Sequence, residues 1–152
     1  MKYKLALLFL LGFTTSLNAQ ELNPKYDAAL AKELEADDYG MKQYILVILK
    51  TGSNTSEDAE LRSESFAGHM DNMNKLVADG KLIVAGPIEE NDNQYRGIFI
   101  LDVKTKEEAE VLLQTDPAIK ANYLATDLYP WYGSAALKVY LDASEKVNKF
   151  SF

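Results

Sequence analysis

The chain contains one histidine, His69, and this side chain is the best suited to proton transfer. It falls in a predicted helix over residues 57–79, near one edge of the apolar stripe that a spacing of about 100° per residue produces. Arg62 and Ser65 fall on the same edge, where the helix is expected to meet its sheet. An imidazole can take or give a proton near neutral pH when a partner holds its tautomer. Helix geometry alone also allows a structural or surface histidine.

Asp116 is the second candidate, because it precedes Pro117 at a predicted break between two helical segments. Proline fits the first turn of a helix and disfavours helical structure in the residue before it. An aspartate in that position commonly caps the turn that follows. Taken alone, this spacing favours a capping role for Asp116 over a chemical one.

The remaining composition predicts neither a metal site nor a bound cofactor. A single histidine cannot build a multi-histidine metal site, and a chain without cysteine has neither thiol chemistry nor structural zinc. The acidic clusters at residues 37–38 and 89–92 lack the ligand spacing of a calcium loop. No glycine-rich phosphate loop, dinucleotide fingerprint or nucleophile elbow is present. We therefore expect no cofactor, and a small molecule as the ligand of any site.

Residues 1–19 have the pattern of a secretory signal peptide. Lys2 and Lys4 give a basic start, an apolar run over residues 5–13 follows, and Ala19 suits the position before cleavage. The apolar run is shorter than the roughly 20 residues that a membrane span needs. The sequence therefore predicts an exported protein, periplasmic or extracellular, with no membrane segment after cleavage.

The predicted mature chain is strongly acidic. Loss of the two lysines of the signal peptide leaves 14 basic residues against 23 acidic ones, which is a net charge of −9. Such a surface repels phosphate backbones and anionic membranes, so nucleic acid is not expected as a partner. Because the chain has no cysteine for disulfides, its stability must come from packing or from association of subunits.

Hydrophobic periodicity predicts one α+β domain over residues 41–141, preceded by a helical extension at residues 20–40 and followed by a flexible tail at residues 142–152. The order within the domain is β-α-β-β-α-β, which is typical of the split βαβ, ferredoxin-like arrangement. The predicted strands cover residues 41–51, 81–85, 95–103 and 123–131, with a further strand at 135–141, and the predicted helices cover residues 57–79 and 105–114.

Two of the predicted strands carry apolar residues on both faces. The runs at residues 44–49 and 98–101 do not alternate with polar residues, which predicts that both faces of the sheet are covered. One layer of helices covers only one of those faces. We therefore expect a homodimer in which two sheets stack face to face, in the manner of a dimeric α/β barrel.

Six short segments, taken in their order and spacing, resemble one known family. They are FAGHMDNM at residues 66–73, GKLIVAGP at 80–87, RGIFIL at 96–101, EEA at 107–109, DPA at 116–118 and PWYGSAA at 130–136. On these segments the chain resembles the YCII-related family over roughly residues 41–137. The signal peptide and the N-terminal extension depart from the compact cytoplasmic members of that family.

The resemblance implies a ferredoxin-like fold, dimers formed through the sheets, and an active site that pairs a helix histidine with the aspartate of an Asp-Pro turn. Those two residues are His69 and Asp116 in this chain. Asp116 would orient the imidazole and stabilise its protonated form, while His69 would be the general acid or base. One branch of the family is similar to a dehydrochlorinase that acts on chlorinated hydroxyquinols.

Five further residues rank below this pair as substrate-binding candidates. They are Arg62 and Ser65 from the helix edge, and Arg96, Trp131 and Ser134 from the family-like segments. Arg96, Trp131 and Ser134 each have an equally good packing or capping role.

Two functions fit these observations. The first is a small cofactor-independent enzyme, a lyase or an isomerase, in which His69 and Asp116 carry out general acid/base chemistry on a small molecule. The second is a non-catalytic small-molecule-binding or stress-related dimer that holds a ligand in the same pocket. An interaction module built on residues 20–40 is a weaker third interpretation.

Overall fold

The computed structural model describes residues 23–147 and residue 149. The chain forms one four-stranded antiparallel sheet with helices, in an α+β architecture. The strands are β1 (Met41–Thr51), β2 (Leu82–Pro87), β3 (Tyr95–Leu101) and β4 (Leu124–Ser134); the helices are α1 (Ala28–Glu33), α2 (Ala59–Ala78), α3 (Lys106–Leu113), α4 (Pro117–Lys120) and α5 (Leu141–Val147), with a 3₁₀ helix at Ala135–Tyr140 between β4 and α5.

The strand order in the sheet is β2-β3-β1-β4, which is the ferredoxin-like order that the sequence predicted. β1 lies in the interior of the sheet and pairs antiparallel with both β3 and β4. Its position explains its composition, because Tyr44 and Ile45 point to opposite faces and both are fully buried. Side chains on the helix-facing side of the sheet form the main core with α2, α3 and α4. Its members from the strands are Ile45, Val47, Leu49, Leu82, Phe99, Leu101 and Leu124.

Helix ends follow local capping signals. The Asp58 carboxylate accepts a hydrogen bond from the Leu61 N–H and begins α2, and Thr105 accepts one from the Glu108 N–H and begins α3. Glu108 in turn accepts from the Lys104 N–H, one residue before the cap. Thr105 and Glu108 therefore form a capping box whose return bond is shifted by one residue.

The helix predicted over residues 20–40 is wrong in its extent. Within residues 23–40, the part of this range that the structure describes, only Ala28–Glu33 is helical. Asp27 caps its start, and Glu35 adopts a left-handed φ of 57° that ends it. The Asp37 carboxylate then accepts the N–H groups of Tyr39 and Met41, which turns the chain into β1. Residues 20–22 and the predicted signal peptide lie outside the described residues.

The strand predicted at residues 135–141 is also wrong, because this segment is a 3₁₀ helix. β4 ends at Ser134, opposite Met41 at the start of β1, so a longer strand would find no further partner in the sheet. The Ser134 hydroxyl accepts from the Ala136 N–H and caps the new segment. The predicted tail is helical over Leu141–Val147, and the division of the chain into domains stays a prediction.

The C-terminal segment, defined here as residues 135–147, covers part of the sheet face opposite α2. Leu137 and Leu141 pack on a second core cluster formed by Tyr44, Ile83 and Ile100. The Tyr140 hydroxyl donates to the Ile83 carbonyl at 2.7 Å and ties this segment to β2.

The expected homodimer stays a prediction. Within the residues that the structure describes, no helix combines the length and apolar character needed to cross a bilayer.

A charge network, formed by Glu35, Lys42, Asp102 and Lys138, fastens both chain extensions to the domain. Lys42 and Asp102 are largely buried at its centre, whereas Glu35 and Lys138 are exposed. The Lys42 ammonium lies 2.8 Å from Glu35 and 2.8 Å from Asp102, and Lys138 approaches the second oxygen of Asp102 at 2.8 Å. Burial works to lower the pKa of Lys42, but its hydrogen bonds to Asp102 and Glu35 outweigh burial and raise it. Burial likewise works to raise the pKa of Asp102, and the two lysines hold it below its ordinary value.

Candidate active site

His69 and Asp116 meet as the predicted pair. The Nδ1 atom of His69 lies 2.6 Å from Oδ2 of Asp116, although the two residues are 47 positions apart in the chain. Only 9% of His69 and 1% of Asp116 is exposed, so the contact is shielded from bulk water. A hydrogen bond between an imidazole and a carboxylate in such surroundings is stronger than the same bond in water.

Asp116 has a second function in the fold, because it caps α4. Its Oδ1 atom accepts the N–H groups of Ala118 at 2.9 Å and Ile119 at 3.3 Å, and Pro117 occupies the first helical position. The capping role predicted from the Asp-Pro spacing is therefore present together with the pairing role. Since one oxygen is held by the backbone and the other faces His69, the carboxylate has a fixed orientation.

The close approach of α2 to α4 depends on Gly68. A Cβ atom built at this position would lie 2.7 Å from the Cγ atom of Pro117, a distance that real Cβ contacts essentially never show. Glycine thus lets the helix that carries His69 lie directly against the turn that carries Asp116. The contact between Gly68 and Pro117 therefore sets the distance between His69 and Asp116.

We expect Gly68→Ala to reduce the free energy of unfolding by about 1–3 kcal/mol, because a methyl group must be fitted against a rigid proline ring. Chemical denaturation followed by circular dichroism measures this change. Gly86→Ala, in β2, is the control for the same substitution without a steric clash, since an added Cβ there meets nothing within 4 Å. Equal stability of the two variants would contradict the proposed contact.

Aromatic rings enclose the imidazole. The His69 ring stacks on Phe99 of β3 with centroids 6.0 Å apart and an interplanar angle of 20°. Phe66, one turn earlier on α2, meets it edge-on at 6.2 Å and 74°. These rings fix the imidazole plane and exclude water from two sides.

The open side of His69 faces a cavity of about 840 Å³. Because Nδ1 is bonded to Asp116, Nε2 is the ring nitrogen that remains for a ligand. The cavity lies beside β2, between α2 and the C-terminal segment, and most of its walls are apolar. It is lined by Leu49, His69, Met70, Met73, Asn74, Val77, Leu82, Ile83, Ala85, Gly86, Pro87, Arg96, Gly97, Phe99, Tyr140, Leu141 and Ser144.

Of the five lower-ranked candidates, Arg96 alone lines this cavity. Arg62 instead lies over the rings of Phe66 and Tyr123, and the Ser65 hydroxyl donates to the Leu61 carbonyl one turn earlier in its own helix. Trp131 packs on Tyr44 at the opposite sheet face, and Ser134 caps the 3₁₀ helix. The structure therefore does not bring Arg62, Ser65, Trp131 or Ser134 to the cavity with His69.

Several cavity residues were missed because their local patterns indicated something else. Met70 and Val77 belong to the apolar stripe of α2, a pattern that indicates burial, yet both are exposed where the stripe borders the cavity. Tyr140 and Ser144 fall in segments predicted as a strand and a flexible tail. The only sequence signal for these cavity residues was that the apolar stripe of α2 is wider than the face of the helix that is buried. In the described part of the chain, no group of three or more histidine or acidic side chains could hold a metal ion.

The YCII-related domain matches residues 44–131, which is more than half of the chain. The chain belongs to the YCII-related domain family. The resemblance inferred from the six short segments is thereby confirmed, and the matched region contains both members of the His69–Asp116 pair. In this member of the YCII-related family, the C-terminal segment that lines one side of the cavity lies beyond the matched residues.

Among solved structures, the chain is similar to 5-chloro-2-hydroxyhydroquinone dehydrochlorinase from Burkholderia phenoliruptrix AC1100, determined in complex with 2,5-dihydroxybenzoquinone. The sequence identity is 22% and the TM-score is 0.41, over 57% of this chain and 92% of the other. No curated protein matches the chain. Membership of the YCII-related family thus rests on the domain match.

Proposed function

We propose that this protein is a small enzyme in which His69 transfers protons to and from a small molecule bound in the cavity, with Asp116 as the residue that orients the imidazole. One observation supports this proposal above all others: the 2.6 Å contact between the two side chains is buried, and the imidazole borders a cavity of about 840 Å³. A lyase or an isomerase fits best, because general acid/base catalysis can drive such reactions without an oxidant or a reductant.

The mechanism follows from the two ends of the imidazole. The Asp116 carboxylate accepts a hydrogen bond from Nδ1–H, which keeps the proton of the neutral imidazole on Nδ1. Nε2 is then unprotonated and able to accept a proton from a C–H or O–H group of the ligand. The imidazolium that results carries its positive charge next to the carboxylate, which stabilises it. Nε2–H then returns the proton to a different atom of the ligand or to a leaving group, which restores the neutral imidazole.

The tautomer of His69 is the first test. With nitrogen-15 labelling, NMR should show the proton of the neutral imidazole on Nδ1 in the wild-type protein. In Asp116→Asn the oxygen of the amide must still cap α4, so its NH₂ group is expected to face Nδ1 and move the proton to Nε2. Asp71→Asn, an exposed change two residues from His69, is the matched control and should leave the tautomer unchanged.

A proton on Nε2 in the wild-type protein, or no change in Asp116→Asn, would remove the basis for this mechanism. For any turnover found with a cavity ligand, Asp116→Asn and His69→Ala should each lower kcat by about 10²–10⁴. An identified turnover that survives both substitutions would show that the chemistry lies elsewhere.

A second candidate function is a non-catalytic binding module. Its support is that Asp116 is already needed as a helix cap, and that His69 is packed between Phe66 and Phe99 as a core residue would be. In this case a ligand of the cavity would raise the melting temperature without being chemically changed. Product analysis of the same samples separates the two functions.

A further inference from the structure

A β-bulge between β1 and β3 determines where Arg96 lies. The register shifts between Leu49 and Lys50, so Arg96 has no partner in the ladder with β1. A bulge breaks the regular alternation of side chains and can direct one of them to a new position. Arg96 consequently reaches Thr51, where its Nε–H donates to Oγ1 at 2.7 Å, and it borders the same cavity as His69.

The guanidinium of Arg96 has bonding capacity left for a ligand. Its Nε atom is held by Thr51, whereas its two Nη nitrogens form no hydrogen bond or ion pair within the described residues. Arginine keeps its charge at any relevant pH, and its planar fork matches the geometry of a carboxylate. The hydrogen bond to Thr51 restricts the side chain before a ligand arrives, which reduces the entropy lost on binding.

The charge of the cavity differs from that of the rest of the molecule. The chain carries 23 acidic residues and a net charge of −7, yet no aspartate or glutamate is among the described residues that line the cavity. Asp116 lies behind His69 with 1% of its surface exposed and faces the imidazole. A ligand in the cavity can therefore contact the positive charge of Arg96 and the free ring nitrogen of His69, and no carboxylate in the cavity lining repels an anionic ligand.

The remaining walls select against a small, fully polar ligand. Met70 and Met73 of α2, Phe99 of β3 and Leu141 of the C-terminal segment present apolar surface to the cavity. Methionine side chains and aromatic rings favour contacts with flat apolar groups, and burial of such groups supplies most of the binding free energy. The cavity thus combines one exposed, charged arginine with an apolar interior.

We propose that the cavity binds small, mainly apolar carboxylic acids, with the carboxylate on Arg96 and the apolar part against α2 and the C-terminal segment. This inference deepens the proposed function by naming the ligand class, and it rests on that function only for what His69 then does to the ligand. Binding through Arg96 does not require proton transfer.

Benzoate and its neutral analogue benzamide are the matched probes. Each is titrated into the protein while the NMR signals of the single histidine report occupancy of the cavity. Benzoate should bind at least about tenfold more tightly than benzamide, because only benzoate forms a charge-assisted pair with Arg96. Arg96→Gln should remove this difference and leave benzamide binding unchanged, whereas Arg96→Lys should retain part of it.

Arg62→Gln is the control, since it makes the same substitution at an arginine that does not line the cavity. The ligand class is wrong if benzoate and benzamide bind equally, if Arg96→Gln leaves benzoate affinity intact, or if benzoate does not move the His69 signals. These outcomes are separable from a failure of the proposed function, which the tautomer of His69 decides without any ligand. Benzoate that binds through Arg96 beside a histidine with its proton on Nε2 would uphold the ligand class and reject the enzyme.

Discussion

Replacement of Asp116 by alanine should lower the free energy of unfolding by about 3 kcal/mol, which is large for a single polar residue. The substitution removes the cap of α4, which contributes about 1 kcal/mol. It also leaves the Nδ1–H group of His69 buried without an acceptor, which costs a further 1–3 kcal/mol or so. Urea denaturation of the two proteins, followed by circular dichroism, measures the difference.

Two comparisons show whether the pair or the cap is responsible. Asp58→Ala removes the cap of α2, an exposed site with no buried partner, and should cost only about 1 kcal/mol. Asp116→Asn keeps an oxygen for the cap and should fall between the two alanine variants. If Asp116→Ala were no more destabilising than Asp58→Ala, the contact with His69 would contribute nothing to stability, and an orienting role for Asp116 would lose its support.

Removal of the Lys42 ammonium should also lower the free energy of unfolding markedly. Lys42→Met keeps the aliphatic stem in its buried position and deletes the charge that lies between Glu35 and Asp102. Loss of one partner from a buried ion pair leaves the other charge poorly compensated, and because Asp102 retains Lys138 we expect a loss of about 2 kcal/mol. Lys138→Met removes a more exposed partner of the same carboxylate and should cost less than about 1 kcal/mol.

The pH dependence of this network has a definite sign. The folded state holds the pKa of Asp102 below its ordinary value of 3.8, so the contribution of Asp102 is present above pH 3.8 and is lost as the pH falls through the lower folded value. The folded state raises the pKa of Lys42 above 10.5, so its contribution is complete below pH 10.5 and is lost as the pH rises through the folded value. The stability difference between wild type and Lys42→Met should therefore be largest between these limits and smaller in strong acid or strong base. A difference that does not vary with pH would mean that packing of the stem, and not the charge, stabilises this site.

The parts of the fold that the sequence predicted well are those with a strong local pattern. β1 is recognisable because six apolar residues in succession require cover on both faces, and the observed strand has the predicted bounds. α3 begins where its capping box places it. The 3₁₀ helix at Ala135–Tyr140 was missed because its apolar residues suit a strand equally well, and only the end of β4 at Ser134 shows that no strand partner remains.

The candidate site was predictable only in part, because its members meet through tertiary packing. Local spacing predicted a capping role for Asp116 and a position at the edge of an apolar stripe for His69. Only the resemblance to a family predicted that the two side chains form a pair. The close contact at Gly68 and the bulge that places Arg96 have no local signature. Neither does the cavity, since it is formed by α2, β2 and a C-terminal segment that are far apart along the chain.

The two oxygens of Asp116 hold two different parts of the protein, and this division affects how the site can change during evolution. A lineage that lost its chemistry would still be selected to keep an aspartate before Pro117, because α4 would otherwise lose its cap. The imidazole is under no such constraint, since an amide from asparagine or glutamine at position 69 would also satisfy Oδ2. Among descendants of this protein, the aspartate should therefore outlast the proposed activity, and replacement of the histidine should mark the members that have lost the proposed proton transfer.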